Sequence, residues 1–130
     1  MHNTCPVEKI AEKLSKKGKH KINYLADNMS SAKNYARKNI VGHNTEKIVG
    51  FPNKSSKNKV WQGWKSLDNG NTAYWNHGDW MTGEDLCKFP HINFSMDGGN
   101  TVGHIFLKDK IEKHGKWNDF VKAIEKWKSE

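Results

Sequence analysis

Apolar residues first recur along the chain as Val7, Ile10, Ala11 and Leu14, the spacing of one helical face. Pro6 suits a first helical turn, Thr4 or Cys5 a cap and Gly18 an end, so the pattern predicts a helix over Pro6–Lys17. Ala32, Tyr35, Ala36 and Ile40 predict a second helix over Met29–Asn39, ended by Gly42. Gly42–Lys59 follows neither the helical nor the strand period. Its Gly, Pro, Asn, Ser and Lys content reads as a basic loop. From Val60 the pattern changes. Val60–Leu67 and Thr72–Asn76 flank Asp68-Asn69-Gly70-Asn71, whose Asn and Gly tolerate positive φ and predict a hairpin. His91–Met96 and Thr101–Leu107 flank a second turn, Asp97-Gly98-Gly99-Asn100. Lys108–His114 reads as a short helical turn. Trp117, Phe120, Val121, Ile124 and Trp127 then form an amphipathic stripe, predicting a helix over Trp117–Lys128.

This order predicts an α+β fold: N-terminal helices packed on a four- or five-stranded antiparallel sheet, with a C-terminal amphipathic helix. The 130 residues suit one domain. Its parts are 1–41, helical and basic; 42–59, a basic loop; 60–107, the sheet; and 108–130, the C-terminal helix. Only 35% of residues are hydrophobic, but six Trp, five Phe and three Tyr supply large surfaces for a core. No run is long and apolar enough for a membrane span, and Met1–Lys21 has no apolar signal-peptide segment. Cys5 and Cys87 form no CxxC, and two reduced thiols are expected.

Charge alters the functional picture. The formal net charge is +8. Met1–Ser66 holds 14 basic and 4 acidic residues, a net of +10, whereas Leu67–Leu107 holds 1 and 5, a net of −4. A clustered basic half suits a polyanion, and nucleic acid is the commonest one. Three of the seven His (His77, His91 and His104) fall in the acidic segment.

Strand alternation puts Ile92, Phe94 and Met96 on one side and His91, Asn93 and Ser95 on the other. Val102, His104 and Phe106 share a side of the next strand. Two His on adjacent hairpin strands can meet. Such a pair can cleave RNA without a metal, one taking the 2′-OH proton and the other protonating the leaving 5′-oxygen. Lys65 is a candidate to stabilise charge on the phosphate, and Arg37, His43, Lys54, Lys57 and Lys59 are candidate substrate contacts. Cys87, His91, His77, Asp79 and His104 are ligand types that zinc accepts, but their spacing matches no zinc knuckle, so neither metal nor cofactor is expected. No P-loop, dinucleotide, zincin or hydrolase-elbow motif occurs. Trp61, Trp64, Tyr74, Trp75 and Trp80 suit either a sheet core or an exposed stacking platform.

Gly70–His77 (GNTAYWNH), Lys88–Phe94 (KFPHINF) and Gly103–Leu107 (GHIFL) together resemble an ending found in bacterial toxins. It is that of the C-terminal toxin modules of polymorphic and contact-dependent growth inhibition systems. Many of these are RNases of the barnase/EndoU/colicin/RelE-like group. The resemblance implies a cytotoxic ribonuclease acting on tRNA or rRNA in the bacterial cytoplasm. It also implies neutralisation by a cognate immunity protein and release from a larger secreted protein. Carried over by position, His91 leads as catalytic residue, followed by His104 and Tyr74; His77 is a further catalytic candidate. The domain is expected to be a monomer on its own. The alternatives are a non-catalytic nucleic-acid-binding module and a Trp-rich carbohydrate-binding domain.

Overall fold

Seven strands, rather than four or five, form one mixed sheet in the computed structural model, which describes residues 7–49, 61–76 and 86–130. The strands are β1 (Glu8–Leu14), β2 (His20–Ala26), β3 (Thr45–Val49), β4 (Trp61–Ser66), β5 (Thr72–Asn76), β6 (His91–Met96) and β7 (Thr101–Leu107). Their order across the sheet is β1-β2-β7-β6-β5-β4-β3. Every neighbouring pair is antiparallel except β2 and β7, which run parallel. The helices are α1 (Met29–Ala36), prolonged by a π-helical turn over Arg37–Val41, then α2 (Lys108–Lys113) and α3 (Trp117–Ser129).

The helix expected over Pro6–Lys17 is instead a strand and part of a hairpin. Lys9 faces Tyr24 and Ala11 faces Asn23, so Ile10 is the extra residue of a β-bulge. A bulge breaks the period of two, and broken alternation imitates helical spacing. Leu14, which a helix would bury in its stripe, is 72% exposed. The lysine-rich stretch is the hairpin tip, where Gly18 takes φ 83° and its N–H donates to the Ser15 carbonyl. The strand that follows does alternate: Ile22, Tyr24 and Ala26 face one way, Lys21, Asn23 and Leu25 the other. The expected basic loop over 42–59 also contains a strand. Thr45–Val49 pairs with β4 and forms the far edge of the sheet.

Both faces of the sheet carry a core. Under α1 and its π turn lie Ile22, Ala26, Ala73, Trp75, Ile92, Phe94, Ile105 and Leu107. Asn28 starts α1 by accepting the Ser31 N–H at 2.9 Å, and Gly42 (φ 78°) ends the π turn. On the other face Phe89, Phe106 and Leu25 pack against Ile111 of α2 and Phe120 and Ile124 of α3. Buried Asn71 fastens three turns. Its Nδ2 donates to the Ile40 carbonyl at 2.9 Å, and its Oδ1 accepts from the Asp97 N–H at 3.2 Å.

Gly103 sits where β7 passes between β2 and β6. A Cβ there would fall 1.7 Å from the Ile22 carbonyl oxygen and 2.8 Å from Cζ of Phe94. Gly103→Ala is expected to lower unfolding free energy by about 2 kcal/mol or more, read from urea denaturation, because backbone has to move. An unchanged midpoint would contradict this packing of β2 on β7.

Candidate active site

Register lines up polar side chains on the face that carries α2 and α3. Asn23 of β2 pairs with His104 of β7, His104 with Asn93 of β6, and Asn93 with Tyr74 of β5. One residue pair along, on the same face, a second row reads Lys21, Val102, Ser95, Thr72 and Lys65. Lys13 of β1 stands opposite Lys21 and extends that row. Residues of both rows line a cleft of about 570 Å³, with Leu86 and Trp127 as apolar lining beside them. This is the half of the face outside the aromatic core under α2 and α3.

His91 and His104 do meet. Their ring centroids are 4.6 Å apart and nearly perpendicular, and both rings touch Phe106. His91 is buried, and its Nδ1–H donates to the Phe89 carbonyl at 2.6 Å. It stands behind His104, which lines the cleft. His104 Nδ1 lies 3.2 Å from Asn23 Oδ1. An amide oxygen only accepts, so this bond places the proton on Nδ1 and the ring's lone pair on Nε2. Burial, and then the charge of His91, push the His104 pKa down to about 3. The imidazole is therefore neutral at pH 7.

The remaining candidates divide. Tyr74 lines the cleft, and Lys65 stands exposed at the far end of the second row. Arg37 is on the opposite face, its guanidinium 4.2 Å from the Trp64 ring. His43 is exposed in the turn before β3, well along from the His pair toward the far edge. His77, Lys54, Lys57 and Lys59 lie outside the described residues. So do Asp79, Cys5 and Trp80, and the side chains of Cys87 and Trp61. Trp64 and Trp75 meet edge to face at 5.1 Å and pack on the α1 side, so they belong to the core there. Among the described residues no three His, Cys, Asp or Glu cluster as metal ligands, and no helix is long and apolar enough to cross a membrane.

Lys21, Asn23 and Trp127 were not among the expected site residues. The alternation His20–Ala26 was a usable signal for the first two, once the lysine run before it is read as a hairpin tip. Trp127 belongs to a helical stripe, and stripe membership alone points to core. Comparison of the chain with protein-family models, with curated proteins and with solved structures finds no match. The likeness to toxin modules therefore rests on the three sequence segments.

The lowered pKa has a consequence for stability. Below about pH 6.5 the unfolded chain takes a proton on His104 that the folded chain refuses down to about pH 3. Stability is thus fully present above that range and falls with pH inside it, by up to about 1.4 kcal/mol per pH unit from this group. Urea unfolding between pH 7 and 4 should show a shallower decline for His104→Asn than for the parent chain. Parallel profiles would mean that the imidazole is not held neutral.

Proposed function

We propose that the chain is a metal-independent ribonuclease domain whose active site is this cleft, with His104 and Tyr74 as the reacting pair. The observation that carries the reading is the row Asn23–His104–Asn93–Tyr74, bordered by a second row with lysines at both ends. An in-line displacement at phosphorus needs its base and its acid on opposite sides of the phosphate. His91 and His104 touch, so they do not flank a phosphate between them. His104 and Tyr74 are two strand spacings apart, about 10 Å between backbones, and point to the same side.

In this reading Nε2 of His104 takes the proton from a ribose 2′-OH. The 2′-oxygen bonds to phosphorus, the bond to the 5′-oxygen breaks, and the Tyr74 hydroxyl protonates that leaving oxygen. The products are a 2′,3′-cyclic phosphate and a 5′-OH end. Lys21 and Lys65 offset charge gathering on the phosphate oxygens. A bound phosphate beside His104 favours its protonated form and raises its basicity toward the working range. His91 acts through His104, as a positioning residue. Asn23 fixes the tautomer of His104 in the same way.

The resemblance extends the proposal to a bacterial toxin module that cleaves tRNA or rRNA in the cytoplasm and is held by an immunity protein. The low basicity of His104 in the free protein favours a second reading, a nucleic-acid-binding module without catalysis.

Incubation with total bacterial RNA, with and without EDTA, separates the two. The nuclease reading expects discrete fragments in both lanes, ending in cyclic phosphate. His104→Ala and Tyr74→Phe should each slow cleavage by roughly 10²- to 10⁴-fold while remaining folded. Intact RNA that co-migrates with the protein would establish the binding module instead. Cleavage at full rate by folded His104→Ala would remove His104 from the mechanism.

A further inference from the structure

The two ends of the cleft differ in chemistry. At the β5 end stands Tyr74. At the β1–β2 end stands Trp127 of α3, under Lys13 of β1, with Lys21 of β2 beside it. Lys13 Nζ lies over the Trp127 ring, 4.3 Å from its centre. This end thus joins a flat aromatic surface to a pair of cations that face each other across β1 and β2.

Its polar edge is equally specific. Asn23 is only 3% exposed, yet it lines the cleft. Its Oδ1 is engaged by His104 at 3.2 Å, which leaves the amide held edge-on at the cleft wall. Further along the row, Asn93 brings a second amide to the lining of the same cleft. A flat apolar ligand with hydrogen-bonding atoms along its edge, attached to an anion, meets all of these groups at once. That description is a nucleotide: base on Trp127, base edge toward the amides, phosphate toward Lys13 and Lys21.

We infer that the Trp127 end of the cleft is a nucleobase subsite that restricts the substrate to unpaired RNA. This rests on the ribonuclease reading and adds the substrate class. Stacking on Trp127 needs an exposed base face, and the amides need an exposed base edge. A duplex hides its base faces in the stack and its pairing edges in hydrogen bonds. Lys13 lies over the ring, and its cation–π contact keeps the indole in place. A base takes over the ring, and the ammonium, on a flexible stem, moves to the adjoining phosphate.

The test measures binding of 2′-O-methyl hexanucleotides, which cannot be cleaved through the 2′-oxygen. Three probes of equal length are compared at fixed salt: the single strand, the same strand in a duplex, and an abasic single strand. The wild-type chain should prefer the single strand to the other two by about tenfold or more, the scale of one base–aromatic stack. Trp127→Leu should bring single-strand binding down to the abasic level. It should leave the dependence on salt unchanged, because no phosphate contact is lost. Lys21→Gln should do the reverse, with a smaller salt slope and the preference for bases kept. Since Trp127 also packs on the α3 core, each variant is checked by circular dichroism, and the wild-type comparison stands without either. Equal binding of the abasic and base-bearing strands, or tighter binding of the duplex, would overturn the subsite. Binding with the expected preference but no cleavage of ordinary RNA would retain the subsite and reject the nuclease. No binding of any probe at low salt would reject both.

Discussion

The parallel pairing of β2 with β7 is the constraint on which the candidate site depends. It runs without a break from His20 opposite Thr101 to Ala26 opposite Leu107, and the His20 N–H is tied to the Asn100 carbonyl at its start. That register puts Asn23 beside His104 and Lys21 beside Val102. A slip of one residue would turn Asn23 and Lys21 to the α1 face and bring Ile22 to the cleft. It would leave the His104 tautomer unfixed and take Lys21 out of the second row. The close approach at Gly103 opposes such a slip, because only glycine lets the Ile22 carbonyl come so near. Burial supports the same register: Ile22 and Ala26 enter one core and Leu25 the other.

Unequal coverage of the two faces separates structure from chemistry. The α1 face is closed by small helix residues, with Ala32 and Ala36 fully buried against Ala73, Ile92 and Ile105. Arg37 and Lys33 cap Trp64 and Trp75 there, so these cations serve packing. On the other face α2 and α3 gather the aromatic residues Phe89, Phe106, Trp117 and Phe120 over one end of the strands. Polar residues floor the rest. His91 lies on the boundary: its ring touches Phe106 on the core side and His104 on the cleft side. Desolvation and a second imidazole thus act together on His104, whose protonation is set by the fold before any substrate arrives.

Much of the C-terminal half was legible in the sequence. Asp-Asn-Gly and Asp-Gly-Gly-Asn marked two turns that the structure contains, and alternation in His91–Met96 and Thr101–Leu107 assigned the faces of β6 and β7. Met29–Asn39 and Trp117–Lys128 carried enough helical periodicity to be found. The N-terminal segment misled because one bulged residue, Ile10, disguised a strand as a helix, and with it the partner strand was lost. A parallel neighbour also leaves no local signal, since nothing near His20 in the chain specifies residues eighty positions on. For the site, the meeting of His91 and His104 could be reached from strand alternation. The partnership of His104 with Asn23 could not, because it depends on that long-range pairing. Arg37 illustrates the opposite error: charge type marks a substrate contact, but only the topology shows which face it occupies.

The proposed function places RNA on the α3 face of the sheet, along the rows anchored by β2 and β7. Backbone amide chemical shifts of the isotopically labelled chain, followed during titration with the uncleavable hexanucleotide, test it directly. RNA bound there should give the largest changes at Lys21, Asn23, Asn93, Ser95 and His104, and in the last turn of α3. Changes concentrated instead at Lys33, Arg37 and Trp64, on the α1 face, would contradict it.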